Sequence, residues 1–170
     1  GTDVDVVLDL MIHDIDLVLA MVRSEPASVS ACGFSVLTDS IDIANARLEF
    51  ADGCVANLSA SRVSQSPVRK LRVFQSDLYI SADLQAAKLR AVRKAPDGMR
   101  TVETESGFDG ADALRAEVEA FVGAVREGCE PPVTGEDGRR ALALALEVGR
   151  LVRERLARFS AGGGPAAQGA

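Results

Sequence analysis

The feature that most constrains this chain is a double change of period: an unbroken helical run, then short alternating segments punctuated by turn residues, then helical spacing again. A repeat near 3.6 residues selects helix and a repeat of two selects half-buried strand. The order is therefore one helix, about six strands and two helices. That order predicts an α+β domain, a mostly antiparallel (mixed) open sheet with helices on one face.

The first helix is expected over residues 3–23, which lack Gly and Pro, with Thr2 or Asp3 placed to cap it and Pro26 to end it. Val6, Leu10, His13 and Leu17 share one stripe, and Val7, Met11, Asp14 and Val18 the next. With apolar residues on nearly all sides, the helix is expected to be buried. Strands are expected at residues 29–37, 43–50, 54–63, 68–75, 78–82 and 87–93, with a further run at 99–105. The clearest signal is Ala44, Ala46, Leu48 and Phe50 alternating with Asn45, Arg47 and Glu49, followed by the turn Ala51-Asp52-Gly53. Helical spacing resumes at Asp109 through Ala113, Val118, Phe121, Val122 and Val125, and Gly128 stops it. A last helix is expected over residues 136–158 through Leu142, Leu146, Leu151 and Leu156. Residues 1–158 thus read as one domain. The glycine-rich tail, 159–170, has too little apolar mass to order itself.

A chain of 170 residues with 47% hydrophobic content can core one domain well. Its net charge of -6 and scattered basic residues argue against nucleic acid and anionic membrane as partners. The densest basic cluster, Arg69, Lys70 and Arg72, reads as a solvated edge. Cys32, Cys54 and Cys129 are odd in number and contain no CxxC, so neither a disulfide framework nor a zinc site is indicated, and a cytoplasmic location fits. Residues 6–22 are too heavily interrupted by charge to span a membrane.

Those interruptions, Asp9, His13, Asp14 and Asp16, are the chemical anomaly of the sequence. A lone histidine among apolar neighbours is more often structural than catalytic. Asp9, however, lies four positions before His13, on the same helical face and about 6 Å away at Cβ, close enough to orient an imidazole. Burying these charges costs free energy, so one end of the helix is expected to open onto a polar cleft. A metal is not indicated, because no second histidine or paired Glu completes a ligand set. Ser59 and Ser61 lie in no Gly-x-Ser-x-Gly elbow, which weakens a hydrolytic triad.

The run Asp9-Leu10-Met11-Ile12-His13-Asp14-Ile15-Asp16 resembles the Asp-x-x-x-His-x-x-Asp signature of the glucose-fructose oxidoreductase/inositol dehydrogenase (Gfo/Idh/MocA) family, in the first helix of its C-terminal domain. Residues 43–62 are similar to that family's central hairpin, and Pro131-Pro132-Val133-Thr134-Gly135-Glu136-Asp137 to the start of its last helix. Met11 stands where the family often has Gly.

The resemblance implies an oxidoreductase that removes hydride from a hydroxyl-bearing carbon of a sugar, cyclitol or nucleotide sugar and delivers it to NAD or NADP. His13 would be the acid/base, with Asp9 beside it positioning substrate and histidine. Asp14, Asp16 and Arg62 are further candidates for substrate contact, Arg62 through an anionic group, although a solvated surface arginine is the simpler reading. The cofactor would be held mainly by an N-terminal Rossmann domain, which this chain lacks, since no Gly-x-Gly-x-x-Gly follows a strand. The chain is accordingly expected to be the C-terminal part of a longer enzyme, inactive by itself and paired through its sheet face into a homo-oligomer. The competing reading is a non-catalytic oligomerisation or ligand-binding domain. A small hydroxylated substrate, not nucleic acid or membrane, is the expected partner.

Overall fold

The structure is a computed structural model, and it describes residues 4–95, 97, 101–107 and 112–161, with the side chain of Val102 excepted. Seven strands and three helices form two open antiparallel sheets, as the α+β reading requires. Where one sheet of about six strands was expected, a three-stranded and a four-stranded sheet occur, and the chain divides into two compact units. The first unit is discontinuous, residues 1–64 and 133–170; the second is residues 65–132.

The first unit opens with a wide π-helical turn, Val7–Met11, that runs directly into α1, Ile12–Met21. Its cap is Asp5, whose Oδ1 accepts from the backbone N–H groups of Val7 and Leu8, both at 3.1 Å. Thr2 and Asp3, the expected caps, lie outside the described residues. Nor is the helix buried on all sides. Val7, Met11, Ile15 and Val18 form the buried stripe, whereas Leu10 is 42% exposed and His13 also faces solvent.

Strands β1 (Pro26–Phe34), β2 (Ile43–Phe50) and β3 (Val55–Ser61) form the first sheet in that order. The alternation along β2 holds as read: Ala44, Ala46, Leu48 and Phe50 are buried, and Asn45, Arg47 and Glu49 face out. On the outer face the polar side chains bond across strands, Ser59 Oγ with Asn45 Oδ1 at 2.7 Å and Arg47 Nη1 to Asn57 Oδ1 at 3.2 Å. The strand expected over 29–37 stops at Phe34, because the following segment folds around the carboxylate of Asp42.

Helix α3, Gly135–Ala161, covers the inner face of this sheet. Gly33 makes the approach possible: a Cβ there would lie 2.6 Å from the Ile43 carbonyl oxygen and 3.0 Å from Val152 Cγ1. The expected leucine stripe is not the buried one. Leu142 and Leu146 are 45% and 48% exposed, while Ala141, Ala145, Val148, Gly149 and Val152 are buried. Small side chains let the helix axis approach its neighbours closely, and that settles which stripe turns inward. The helix also continues past the boundary expected at 158. Phe159 packs edge-on against Phe34 with ring centroids 6.3 Å apart. Most of the tail, residues 162–170, lies outside the described residues.

The second unit is a meander, β4 (Lys70–Phe74), β5 (Leu78–Asp83), β6 (Lys88–Lys94) and β7 (Thr101–Gly107), followed by α2, Ala113–Glu127. Strand β7 is a Thr- and Glu-rich run with a weak apolar alternation, and it takes its place by pairing with β6. Asp112 caps α2 by accepting from the Arg115 N–H at 3.1 Å, and Gly128, at φ 65°, closes it in the left-handed conformation. Asp109, the expected start of helical spacing, lies outside the described residues, and α3 begins at Gly135, one residue before the expected Glu136.

Candidate active site

The site belongs to the first unit and is built on the shelf formed by residues 36–42. Asp42 is fully buried. Its Oδ2 accepts from the N–H groups of Val36, Leu37 and Thr38 at 2.8, 2.6 and 2.9 Å, and its Oδ1 from the Thr38 hydroxyl at 2.8 Å. These donors, Leu37 N–H foremost, hold the Asp42 carboxyl far below its ordinary value of 3.8, outweighing the opposing effect of burial. The shelf then offers backbone carbonyls to both neighbouring elements. Ile41 O accepts from Val6 N–H at 2.9 Å, and Asp42 O accepts from Arg62 N–H at 3.0 Å. A run of oxygen-bearing side chains just ahead of a strand, Thr38, Asp39, Ser40 and Asp42, is the one local sign of this nest, and sequence reasoning passed over it.

The first helical turn is anchored at its other side by Asp5, whose Oδ2 meets Arg153 Nη1 of α3 at 3.2 Å. Between these ties the chain makes the π-helical turn, a wider turn than the α-helix allows and one often found at functional sites. Asp9 sits in this turn and is exposed. Met11, the residue in the family's glycine position, is fully buried, so its side chain lies on the core side and leaves the outer side clear.

Arg62, just beyond the end of β3, is brought to Asp9 from far away in sequence. Its side chain is only 14% exposed. Nη2 donates to the Val4 carbonyl at 2.6 Å and pairs with Asp9 Oδ2 at 3.5 Å. Arg62 is therefore not a solvated surface arginine. His13 follows Asp9 onto α1, is exposed, and makes no hydrogen bond among the described residues. The structure thus joins Asp9 to Arg62, and no bond joins Asp9 to the imidazole. Asp14 and Asp16 lie further along α1, both half-buried.

An exposed imidazole four residues along the helical segment from an exposed carboxylate can pass a proton to and from a hydroxyl presented at the helix surface. Among the described residues no group of three His, Cys, Asp or Glu side chains converges as a metal site. All three cysteines are unpaired. No helix among the described residues is long and apolar enough to cross a membrane.

Comparison with known proteins shows the family of the chain. The chain is 40% identical over 150 residues to the UDP-N-acetylglucosamine 3-dehydrogenase of Acidithiobacillus ferrooxidans, a match covering 86% of this chain and 48% of that protein. A solved structure of that dehydrogenase superposes with a TM-score of 0.82 at 38% identity, over 89% of this chain and 48% of the other. The inositol 2-dehydrogenase of Rhizobium meliloti is 28% identical over 156 residues, 86% of this chain and 47% of its own length. The chain spans about half the length of the curated relatives it matches. Residues 3–80, which carry the π-helical turn, α1 and the first sheet, match the family model described as the GFO/IDH/MocA C-terminal domain, and the chain belongs to that family.

Proposed function

We propose that this chain is the catalytic and oligomerisation part of an NAD(P)-dependent dehydrogenase acting on a hydroxyl of a sugar-like substrate, with residues 1–158 as the working domain. The observation that carries the reading is that Asp9 and His13, four residues apart, are both exposed on the outer side of a helical segment whose inner side is core. His13 takes the hydroxyl proton as the carbon–hydrogen bond is broken and returns it in the reverse reaction. Asp9 positions the hydroxyl and the imidazole, and Asp14 and Asp16 shape the polar surround. The nicotinamide, when bound, accepts the hydride. This chain has no Gly-x-Gly-x-x-Gly turn to cradle a dinucleotide, so its residues fit the proton-transfer part of the reaction, and a separate Rossmann domain would hold the phosphates. A nucleotide sugar is the substrate to try first, because UDP-N-acetylglucosamine is named for the relative at 40% identity. The outer face of the first sheet, where Asn45, Arg47, Glu49, Asn57 and Ser59 are exposed, is offered to a second copy of the chain, which sedimentation would reveal as a dimer or higher species; a strict monomer would remove oligomerisation from the proposal.

The test is His13→Asn in the full-length enzyme, assayed with UDP-N-acetylglucosamine and with inositol against NAD and NADP. A kcat loss of about 100- to 10,000-fold with an unchanged circular dichroism spectrum is expected. Undiminished kcat would return the domain to the alternative, a non-catalytic oligomerisation or ligand-binding module.

A further inference from the structure

We infer that Arg62 is a positioning residue, which holds the π-helical turn open and aims the Asp9 carboxylate at the reacting hydroxyl. The inference rests on the dehydrogenase reading above.

Three observations carry it. The Arg62 guanidinium grips the chain before the turn, at Val4 O (2.6 Å), and within it, at Asp9 Oδ2 (3.5 Å). The backbone of Arg62 is itself fixed, because its N–H donates to Asp42 O at 3.0 Å, on the shelf that also holds Val6. Finally, Nη1 of Arg62 is buried and has no hydrogen-bond partner among the described residues. A buried guanidinium with an unmet donor costs stability, and packing alone would favour an apolar residue in its place. The arrangement is understandable if its purpose is the placement of Asp9.

The geometry also separates positioning from substrate contact. Nη1 is enclosed by protein, so its unmet donors do not face solvent, and Nη2 is engaged by Val4 O and Asp9 Oδ2. Asp9, in contrast, is exposed, and its Oδ1 accepts no hydrogen bond among the described residues. One carboxylate oxygen is tethered and the other is available to substrate. Placement errors of about 1 Å at a reacting group can cost about 100-fold in rate. A tether between β3 and the turn is the means by which the sheet fixes Asp9.

The test is a double-mutant cycle in the full-length enzyme, assayed with UDP-N-acetylglucosamine and NAD. Arg62→Gln is expected to lower kcat by about 10- to 100-fold, and Arg62→Lys, which keeps a charged donor, to recover part of that loss. In an Asp9→Asn background, Arg62→Gln should change kcat by less than about threefold, because residues acting as one unit are not additive. Equal effects of Arg62→Gln in both backgrounds, or a rise in KM alone, would overturn the inference. Should Arg62→Gln fail to fold, the decision falls to Arg62→Lys: wild-type kcat in both backgrounds counts against positioning, and a loss confined to the Asp9 background supports it. His13→Asn run alongside separates the two claims. Full turnover in that variant defeats the reaction assignment, whereas its loss together with an additive Arg62 defeats only the tether.

Discussion

The two units of this protein solve the problem of burying an antiparallel sheet differently. In the first, β1–β3 present Ala44, Ala46, Leu48, Phe50, Leu58 and Ala60 to α1 and α3, and all of these are buried. In the second, Ala82 and Ala124 alone among the described residues reach that state; Leu71, Val73, Ile80 and Leu89 are half-covered, and Val118, Phe121 and Val125 of α2 are 52%, 60% and 66% exposed. Apolar content is present in both. What differs is whether a helix face meets a sheet face, and only that converts apolar sequence into core. The candidate site sits on the unit with the core, as positioning chemistry requires.

Matched truncations in the two sheets give the largest expected difference. Leu48→Ala removes a fully buried side chain from between α3 and the sheet and should cost about 3 kcal/mol, whereas Leu89→Ala on β6 should cost about 1 kcal/mol. Urea unfolding of both variants measures this. Equal losses would mean that β4–β7 contribute as much core as β1–β3, and the contrast would fail.

How much was legible in the sequence follows the same division. Strand β2 and its hairpin could be read outright, because one face is buried along its whole length and the alternation is complete. The Asp9-His13 spacing singled out a candidate for a similar reason: two ionisable groups in an apolar helix stand out without any knowledge of the fold. The π-helical turn did not stand out. Val7 to Met11 has the composition of any α-helix, and the wider turn is imposed by ties at Ile41, Arg153 and Arg62 that are distant in sequence. The role of Arg62 was obscured likewise, since three strands separate it from its partner Asp9 in the chain. In α3 the leucines carried the stronger periodic signal, yet the alanines are inside. Periodicity finds an apolar stripe, and the packing partner chooses between stripes.

The buried carboxylate of Asp42 allows the contrast to be sharpened by pH. Its pKa is depressed in the folded state, chiefly by the Leu37 N–H and then by its other donors, so the folded protein resists protonation there and the unfolded chain does not. Its stabilisation is therefore complete above the unfolded value near 3.8 and is lost as pH falls below about 5 toward the depressed folded value. Asp42→Asn should lower the urea midpoint at pH 7 and make stability less sensitive to pH between about 5 and 3. Some slope will remain, because Asp137 and Asp83 are shifted in the same direction, the first chiefly by the Thr134 hydroxyl and the second by the Ala86 N–H. A variant with the wild-type acid slope would remove Asp42 from the anchoring of the shelf.

The smallest effect is expected at the helix caps, and it separates the units again. Helix α3 begins with a reciprocal box in which Thr134 Oγ1 accepts from Asp137 N–H at 3.1 Å and Asp137 Oδ2 accepts from Thr134 N–H at 2.9 Å. Among the described residues, helix α2 has the single side-chain cap bond to Asp112. A cap substitution registers fully only when the first turn is needed to hold a packed helix, since an exposed end can fray with little loss. Thr134→Ala should therefore cost about 1 kcal/mol and Asp112→Ala about half of that, by urea unfolding. A larger loss at Asp112 would show that α2, despite its exposed apolar side, is held by contacts as demanding as those of α3.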